Sequence, residues 1–397
     1  MAGTATGRGP EGVTARAPGA RRRRLSQLGA LALLSTLAAC TAPAGPATST
    51  GAVPETEAVL NLYSWADYFP SSVLRRFEAE TGIRVNFSVF DSNDVAETTL
   101  SAGHSGFDLV TVNASPHLGR QIPKGLWHRL DSTTLSNREN IDASVLSTLG
   151  AVDPGNLYAI PYVWGTTGII YNPDLIRSLD ASAPVDSLGM IFDPRVARRF
   201  ARCGISTLSS WVDMLPLLSA YLHQHDQPSD TASLEAVGAT FRSVKPYIRR
   251  VTATGYYEQL ARGELCLSIG YSADAMVARR RAAELGTGIR IEFAAPKETV
   301  QMYIDAFAIP ADARHVAAAL RFIDFTLRAD VGRELASATG FAVANTAAVA
   351  ILDPALRDNP IVYPPEDVRA RFSLGRAFTM DETRSLARAW LRMKSGQ

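Results

Sequence analysis

Strand-like and helix-like segments alternate from Val59 onward, and this alternation limits the folds open to the chain. The apolar run VLNLYSW precedes the helix-like SSVLRRFEAETG. The same order returns in IRVNFSVF, a short helix ending near Gly103, and FDLVTV. Ser71 or Ser72 can cap the first helix, and Gly82 can end it. The pattern predicts right-handed βαβ units and a mainly parallel sheet.

The rest of the chain has the same mixed character. Helices are predicted around Trp211 to His225 and from Asp230 to Arg250, and strands at LCLSIGYS and IRIEFAAP. The last quarter is mostly helical. A length of 397 residues is large for a single core and favours two domains or lobes.

The N-terminal segment has the pattern of an export signal. Arg21 to Arg24 precede an apolar stretch from Leu25 to Thr36, which is too short to span a bilayer, and small residues then lead to Cys40. The tetrad LAAC resembles a bacterial lipobox, which implies cleavage before Cys40 and acylation of its thiol. We predict a signal peptide over 1–39 and a flexible tether over 40–57. A plain secretory signal with an incidental cysteine is the alternative.

The charge of the exported chain limits its possible partners, and its cysteine content indicates how the two remaining cysteines are used. Without residues 1–39 it carries 34 basic and 38 acidic residues, a net charge of −4. This balance gives no reason to expect nucleic acid and suits a cationic ligand. Only Cys203 and Cys266 remain. Outside the cytoplasm such a pair is more often a disulfide than a metal site, and two separately buried thiols are the alternative.

Three strand-like runs each end in an aromatic residue with an aspartate close behind. The pairs are Trp65 with Asp67, Tyr271 with Asp274, and Tyr303 with Asp305. Strand ends deliver side chains to a crevice, and carboxylates beside aromatic faces suit an organic cation.

Each pair also has a structural explanation. Trp65 can belong to the core while Asp67 caps a turn, and Asp274 can be a helix N-cap. Asp305 lies inside the apolar run IDAFAIP, where an unpaired buried carboxylate costs several kcal/mol. We therefore expect Asp305 to have a partner or to face a cleft.

Metal binding and catalysis receive less support from the sequence. His223-Gln224-His225-Asp226 lies where a helix is predicted to end, which favours a solvated turn over a metal site. No G-x-S-x-G elbow, P-loop, H-E-x-x-H or G-x-G-x-x-G fingerprint is present. Paired carboxylates with aromatic residues also fit a glycosidase, and the spacing along the sequence does not decide between the two.

A broader resemblance covers the chain from about Leu60 to its C-terminus. At LNLYSWADYFP, FDSNDV, GFDLVTVNAS, IPYVWGTTGIIYN, APVDSL, both cysteine segments and YPPEDVRARF it resembles the polyamine-binding proteins of bacterial ABC importers, most of all those for putrescine. The resemblance implies an α/β, two-lobed type II periplasmic-binding-protein fold with a hinge, no catalysis and no cofactor. Lobe 1 is expected over 58–164 plus 296–345, and lobe 2 over 165–295 plus 346–397.

The resemblance also implies a set of ligand contacts and the pairing of Cys203 with Cys266 in a disulfide. The expected contacts are Trp65, Ala66, Asp67, Tyr68, Asn113, Asp213, Tyr271, Asp274, Tyr303, Asp305 and Phe341. Several of them differ from the putrescine receptor. That receptor has serine at Ala66 and Asn113, glutamate at Asp213, tryptophan at Tyr271, phenylalanine at Tyr303 and tyrosine at Phe341. The charges are kept while the finer contacts change.

The sequence thus predicts a monomeric, membrane-anchored lipoprotein outside the cytoplasm that binds an aliphatic polyamine and passes it to an ABC permease. Putrescine is favoured over spermidine, with agmatine and cadaverine open. The alternatives are a receptor for another cationic solute, a polyamine sensor and, with least support, a secreted carboxylate-dependent enzyme.

Overall fold

A computed structural model describes residues 58–66, 68–223, 231–375 and 378–396. The predicted signal peptide, the tether and Cys40 lie outside these residues. The strands are β1 Val59–Trp65, β2 Arg84–Phe90, β3 Leu109–Asn113, β4 Ala159–Tyr171, β5 Ile205–Leu208, β6 Ile248–Thr252, β7 Leu267–Tyr271, β8 Glu292–Ala294, β9 Val300–Ala308, β10 Ala342–Val343 and β11 Phe372–Leu374.

Helices alternate with the strands along the described part of the chain. They are α1 Ser71–Thr81, α2 Asn93–Ser101, α3 Gly119–Gln121, α4 Ala143–Leu149, α5 Pro173–Leu179, α6 Gly189–Phe192, α7 Pro194–Phe200, α8 Trp211–Tyr221, α9 Thr231–Val244, α10 Tyr256–Ala261, α11 Ser272–Glu284, α12 Val316–Thr326, α13 Ala329–Thr339, α14 Thr346–Ala350, α15 Pro354–Arg357, α16 Glu366–Arg369 and α17 Met380–Ser395. Short 3-10 turns lie at Ile122–Lys124, Ser132–Thr134, Arg138–Asn140 and Lys245–Tyr247, and a π-helical turn at Ala114–Leu118.

The strands form one mixed sheet in the order β2-β1-β3-β9-β4-β7-β5-β6. Neighbours are parallel on both flanks, where β1 pairs with β2 and β3 and where β5 pairs with β6 and β7. In the centre β9 runs antiparallel to β3 and β4, and β4 antiparallel to β7. The prediction of a mainly parallel sheet is therefore wrong for the centre. Local alternation indicates βαβ units on each flank but does not give the direction of a strand that returns from far along the chain.

Strand β4 connects separate hydrophobic cores. Its first half contributes Ile160 and Trp164 to the cores packed around β1, β3 and β9. Its second half contributes Ile169 and Ile170 to the core around β5 and β7. Strand β4 therefore bridges these cores, and β9, which carries the predicted site residues Tyr303 and Asp305, pairs with it.

Of the two predicted ends of the first helix, only the C-terminal one is right. Gly82 is left-handed (φ 73°) and its N–H bonds to Glu78, which confirms the C-cap. The N-cap is Pro70, without a side-chain capping bond. Ser72 instead donates to Glu334 at 2.8 Å, so a contact with α13 replaces the predicted cap.

The predicted helix from Asp230 to Arg250 is too long. Helix α9 ends at Val244, and Ile248–Thr252 forms β6 beside β5. Pro246, within the turn Lys245–Tyr247, favours the break because proline cannot continue a helical hydrogen-bond ladder. Within the described residues, no helix combines the length and apolar character that crossing a bilayer requires.

Candidate functional site

The candidate site is built on the middle of β9. Asp305 lies opposite Asn113 of β3 on one side and Val163 of β4 on the other. Tyr303 lies opposite Gly165. Because side chains two residues apart share a face of a strand, Tyr303 and Asp305 project to the same side. The third aromatic–aspartate pair is thus within a strand, and the prediction that it marks a strand end is wrong.

Asp305 is a buried carboxylate held by neutral donors. It is 3% exposed. The hydroxyl of Tyr68 donates to its Oδ2, and Nδ2 of Asn113 donates to its Oδ1 at 3.1 Å. Burial raises the pKa of Asp305 to about 6, while these two hydrogen bonds oppose the increase and the charge of Asp213 adds to it.

Asp213 is the second buried carboxylate. It lies in the first turn of α8, is 8% exposed, and its Oδ2 accepts from the Tyr271 hydroxyl at 2.9 Å. Burial raises its pKa, and hydrogen bonds from Ser210 and Tyr271 act in the opposite direction. A helix N-terminus favours negative charge, so α8 supports the ionised form.

Asp274 occupies the first turn of α11 and is half-buried. The N-cap of α11 is Tyr271, without a side-chain capping bond, so the alternative that Asp274 is a helix N-cap is wrong. Its Oδ2 accepts instead from the hydroxyl of Tyr256. Each of the three carboxylates therefore has a tyrosine hydroxyl as a donor.

Tyr303 lies among all three carboxylates. Burial raises the pKa of its hydroxyl, and the charges of Asp305, Asp274 and Asp213 raise it further. Its ring meets that of Tyr271 edge to face, with centroids 5.4 Å apart. The fold thus brings together acids that lie far apart in the sequence. They lie around the rings of Tyr271 and Tyr303.

The remaining predicted contacts lie beside Tyr68. Its ring is 5.1 Å from that of Phe341 and 6.4 Å from that of Trp65. Trp65 ends β1, is half-buried and packs against Phe90 at 4.6 Å. Ala66 is exposed in the turn that follows. These residues form an aromatic rim next to Asp305.

Two predictions concern residues that the structure does not describe. Asp67 lies outside the described residues, as do Gln224 to Asp226 of the histidine-containing cluster. In the described part of the chain, no group of histidine, cysteine, aspartate and glutamate residues could hold a metal ion.

Cys203 and Cys266 are neighbours in space. Their Cα atoms are 5.5 Å apart, a separation that a disulfide can span. Cys266 directly precedes β7, the strand that ends at Tyr271. The pair therefore joins the α7–β5 connection to the strand that presents a site tyrosine.

Sequence reasoning missed the residues behind the carboxylates, above all Tyr256. Two glycines could have indicated them, because a glycine inside a strand often marks a close approach. A Cβ at Gly270 would lie 2.5 Å from Cε2 of Tyr256, and a Cβ at Gly165 would lie 2.9 Å from Oγ of Ser272. Ser272 was also missed. Its Oγ accepts from the N–H of Thr166 at 3.2 Å.

Residues 72–364 match the family model described as bacterial extracellular solute-binding protein. The chain belongs to this family. It is accordingly a solute receptor and not an enzyme, which removes the glycosidase alternative.

Curated relatives agree over most of their length. The chain is 36% identical to the putrescine-binding periplasmic protein SpuD of Pseudomonas aeruginosa, over 85% of this chain and 92% of that protein. It is also 36% identical to the putrescine-binding periplasmic protein PotF of Escherichia coli, over 88% of this chain and 95% of that protein. The resemblance predicted from the sequence is confirmed.

Solved structures agree in fold. The TpPotD lipoprotein of Treponema pallidum superposes with a TM-score of 0.72 at 23% identity, over 85% of this chain and 99% of that one. The spermidine/putrescine substrate-binding protein PotD of Streptococcus pneumoniae gives 0.71 at 22% identity, over 85% and 98%. The predicted fold class is confirmed.

Proposed function

We propose that this receptor binds a short aliphatic polyamine outside the cytoplasm and delivers it to an ABC import permease. The observation that carries the proposal is the burial of two carboxyl groups, those of Asp213 and Asp305. In the described part of the chain, no basic side chain pairs with either of them or offsets the rise in their pKa. Buried charge without a counter-ion costs several kcal/mol, so a cation supplied by the ligand offsets that cost.

The neutral tyrosine and asparagine donors suit this role. A lysine or arginine beside Asp305 would neutralise the carboxylate and compete with a cationic ligand. Tyr68 and Asn113 hold the carboxylate without taking its charge. The site is therefore organised for an ammonium group that arrives from solution.

The names of the relatives support an amine of this kind. Besides the two putrescine-binding proteins, the chain is 31% identical to a putrescine/agmatine-binding protein and 28% identical to a putrescine/cadaverine-binding protein, both of Pseudomonas aeruginosa. The spermidine/putrescine-binding protein of Escherichia coli is 30% identical over 77% of this chain. We favour putrescine over spermidine on this basis.

Energetics indicate where the affinity comes from. Burial of the four methylenes of putrescine contributes about 3 kcal/mol at ~0.8 kcal/mol each. Each cation–π contact adds about 1 to 2 kcal/mol, while association costs at least about 4 kcal/mol. These contributions nearly cancel. The oriented carboxylates must therefore supply much of the affinity and most of the specificity.

Closure around a hinge belongs to the same proposal. We assign lobe 1 to 58–164 plus 296–345 and lobe 2 to 165–295 plus 346–397. The change of core along β4 supports the boundary at 164. Lobe 1 then carries Trp65, Asp67, Asn113 and Asp305, and lobe 2 carries Asp213, Tyr271 and Asp274. A ligand that touches both sets favours the closed state by its differential contacts.

The proposal has four further parts, which are export, lipidation of Cys40, a Cys203–Cys266 disulfide and a monomeric state. The pattern of residues 21–40 supports export and lipidation, and the 5.5 Å separation of Cα atoms supports the disulfide. Replacement of Cys40 by alanine is expected to release the protein from the membrane fraction. Membrane association that is unchanged by Cys40→Ala would contradict the lipid anchor.

Calorimetry with a panel of amines tests the ligand. Putrescine, cadaverine, agmatine and spermidine are titrated into the purified protein, with butylamine as the monoamine control. Putrescine is expected to bind at micromolar concentration or better and butylamine much more weakly, because one ammonium cannot meet both sets of carboxylates. Absence of heat with every polyamine would contradict the proposal.

A further inference from the structure

Tyr256 lies behind the site rather than in it. It begins α10, is 1% exposed and packs in the core around β5 and β7. Its hydroxyl donates to Oδ2 of Asp274 and accepts from the N–H of Tyr271 at 3.1 Å. One buried hydroxyl thus joins the carboxylate on α11 to the last residue of β7.

The backbone contact fixes the direction of the other hydrogen bond. A phenol has a single hydrogen. Because the backbone N–H of Tyr271 already donates to the Tyr256 oxygen, that oxygen acts as the acceptor there and its own hydrogen is directed to Asp274. The receiving oxygen of Asp274 must therefore carry no proton, and a bond of this kind is strongest when the carboxylate is ionised.

The local sequence makes room for this arrangement. A Cβ at Gly270 would lie 2.5 Å from Cε2 and 2.7 Å from the hydroxyl oxygen of Tyr256. The ring can cross β7 only because residue 270 has no side chain. Gly255, in the left-handed region at φ 77°, is the N-cap of the helix that Tyr256 begins.

We infer that Tyr256 is a positioning residue for amine recognition, which keeps Asp274 anionic and fixes its orientation towards the ligand. The inference rests on the proposed polyamine function and extends it to a residue that does not touch the ligand. Tyr256 acts through Asp274, and a change confined to its hydroxyl should alter the charge state of that acid.

The groups around Asp274 are consistent with this role. Tyr256 faces it from α10, Tyr271 from β7 and Tyr303 from β9, and all three phenols have a pKa raised by burial and by the charge of Asp274. Asp213 and Asp305 act on the same Tyr303. The ion pair of Arg281 with Glu258 also joins α11 to α10, and Arg281 lies two turns beyond Asp274.

The test is the pH dependence of putrescine affinity in Tyr256→Phe, measured by calorimetry from pH 5.5 to 8.5. Tyr247→Phe is the matched control, since Tyr247 packs partly buried against the same core. Thermal unfolding of each variant is measured in parallel. Loss of a hydrogen bond to a charged group is expected to weaken binding about tenfold to a hundredfold. The affinity of Tyr256→Phe should also begin to fall at a higher pH than that of the wild type, because Asp274 is then protonated more readily.

A second comparison uses Asp274→Asn, which has no carboxyl group to titrate at that position. Adding Tyr256→Phe to Asp274→Asn should leave the pH at which affinity falls unchanged, as measured by NMR titration at millimolar putrescine. An unshifted pH profile in Tyr256→Phe, or the same shift in the Asp274→Asn background, would overturn the inference. Absence of amine binding by the wild type would overturn the proposed function, and this inference with it.

Discussion

The hydroxyl of Tyr271 donates to Asp213 at 2.9 Å and thereby connects the end of β7 to the first turn of α8. The same residue provides a ring edge to face with Tyr303. Tyr271 therefore contributes both a polar and an aromatic function to the candidate site.

Tyr271→Phe separates these functions, because it keeps the ring and removes the donor. We expect putrescine affinity to fall about tenfold or more, the usual value for a hydrogen bond to a charged group. Isothermal calorimetry measures the change. The control is Tyr158→Phe, because Tyr158 directly precedes β4 and is partly buried against a different core from the one that Tyr271 contacts. Equal affinity of Tyr271→Phe and the wild type would remove this hydrogen bond from the recognition mechanism.

Asp305→Asn is expected to stabilise the unliganded protein while it weakens amine binding. The pKa of Asp305 rises from 3.8 to about 6 in the fold, so ionisation near neutral pH costs up to roughly 3 kcal/mol of folding free energy. Urea unfolding at pH 7 measures the gain, and the exposed Asp367→Asn is the control. A less stable variant would show that the hydrogen bonds of Asp305 outweigh its desolvation.

The stability of the unliganded protein should depend on pH through the carboxyl group of Asp305. A carboxyl whose pKa is raised on folding binds more protons in the native than in the unfolded state between pH 4 and 6. Its contribution to stability therefore falls as pH rises through that window. Urea unfolding at pH 4, 5 and 6 should give a steeper decline for the wild type than for Asp305→Asn. Parallel curves for the two proteins would contradict the assignment.

Amine affinity should rise with pH over the window in which the stability of the unliganded protein falls. Putrescine stays doubly protonated across this range, and it competes with protons for Asp305. Affinity is expected to be nearly constant above pH 7 and to decline below about pH 6, by up to tenfold per pH unit for one proton. Calorimetry in buffers of matched ionic strength measures the profile. Constant affinity down to pH 5 would show that Asp305 is not a principal ammonium contact.

Gly165→Ala is expected to weaken binding by displacing Tyr303. The added Cβ would lie 2.6 Å from Cζ of Tyr303 and 2.9 Å from Oγ of Ser272, so the ring must move. Gly238→Ala is the matched control, because its Cβ would meet only the flexible ends of Arg242 and Met393, at 3.1 Å or more. Wild-type affinity in Gly165→Ala would show that the position of the Tyr303 ring is unimportant.

Reduction of the Cys203–Cys266 pair is expected to lower the melting temperature. The cysteines are 63 residues apart, and on the loop-entropy model a bridge that closes such a loop stabilises the fold by roughly 4 kcal/mol, less any strain. Scanning calorimetry with and without reductant measures the effect, and thiol titration of the unfolded protein counts free cysteines. Two reactive thiols without reductant would contradict the disulfide.

Local patterns predicted the flanks of the sheet better than its centre. The run VLNLYSW forms β1 over Val59–Trp65, as predicted, because alternation and helix punctuation are local properties. The antiparallel direction of β4 and β9 depends on pairing between residues more than a hundred positions apart. Sequence spacing does not report such pairing.

The acidic residues of the candidate site could be predicted from the sequence. The residues that hold these acids in place could not. Asp305 attracted attention because a carboxylate in an apolar run requires an explanation. Tyr256 did not, because a tyrosine at the start of a short helix is unremarkable until its distance to Asp274 is known. Gly270 was the sequence signal, and its meaning became clear only with the ring that crosses it.

The pairing of Asn113 with Asp305 across β3 and β9 has a kinetic consequence. On the proposed hinge, this half of the site exists before any ligand arrives, since both residues belong to strands already hydrogen-bonded to each other. An incoming amine then meets Asp305 and Asn113 in place, and closure brings α8, α11 and the end of β7 towards them. The association rate should then follow the charge around Asp305, while the residence time should follow the acids that α8 and α11 bring.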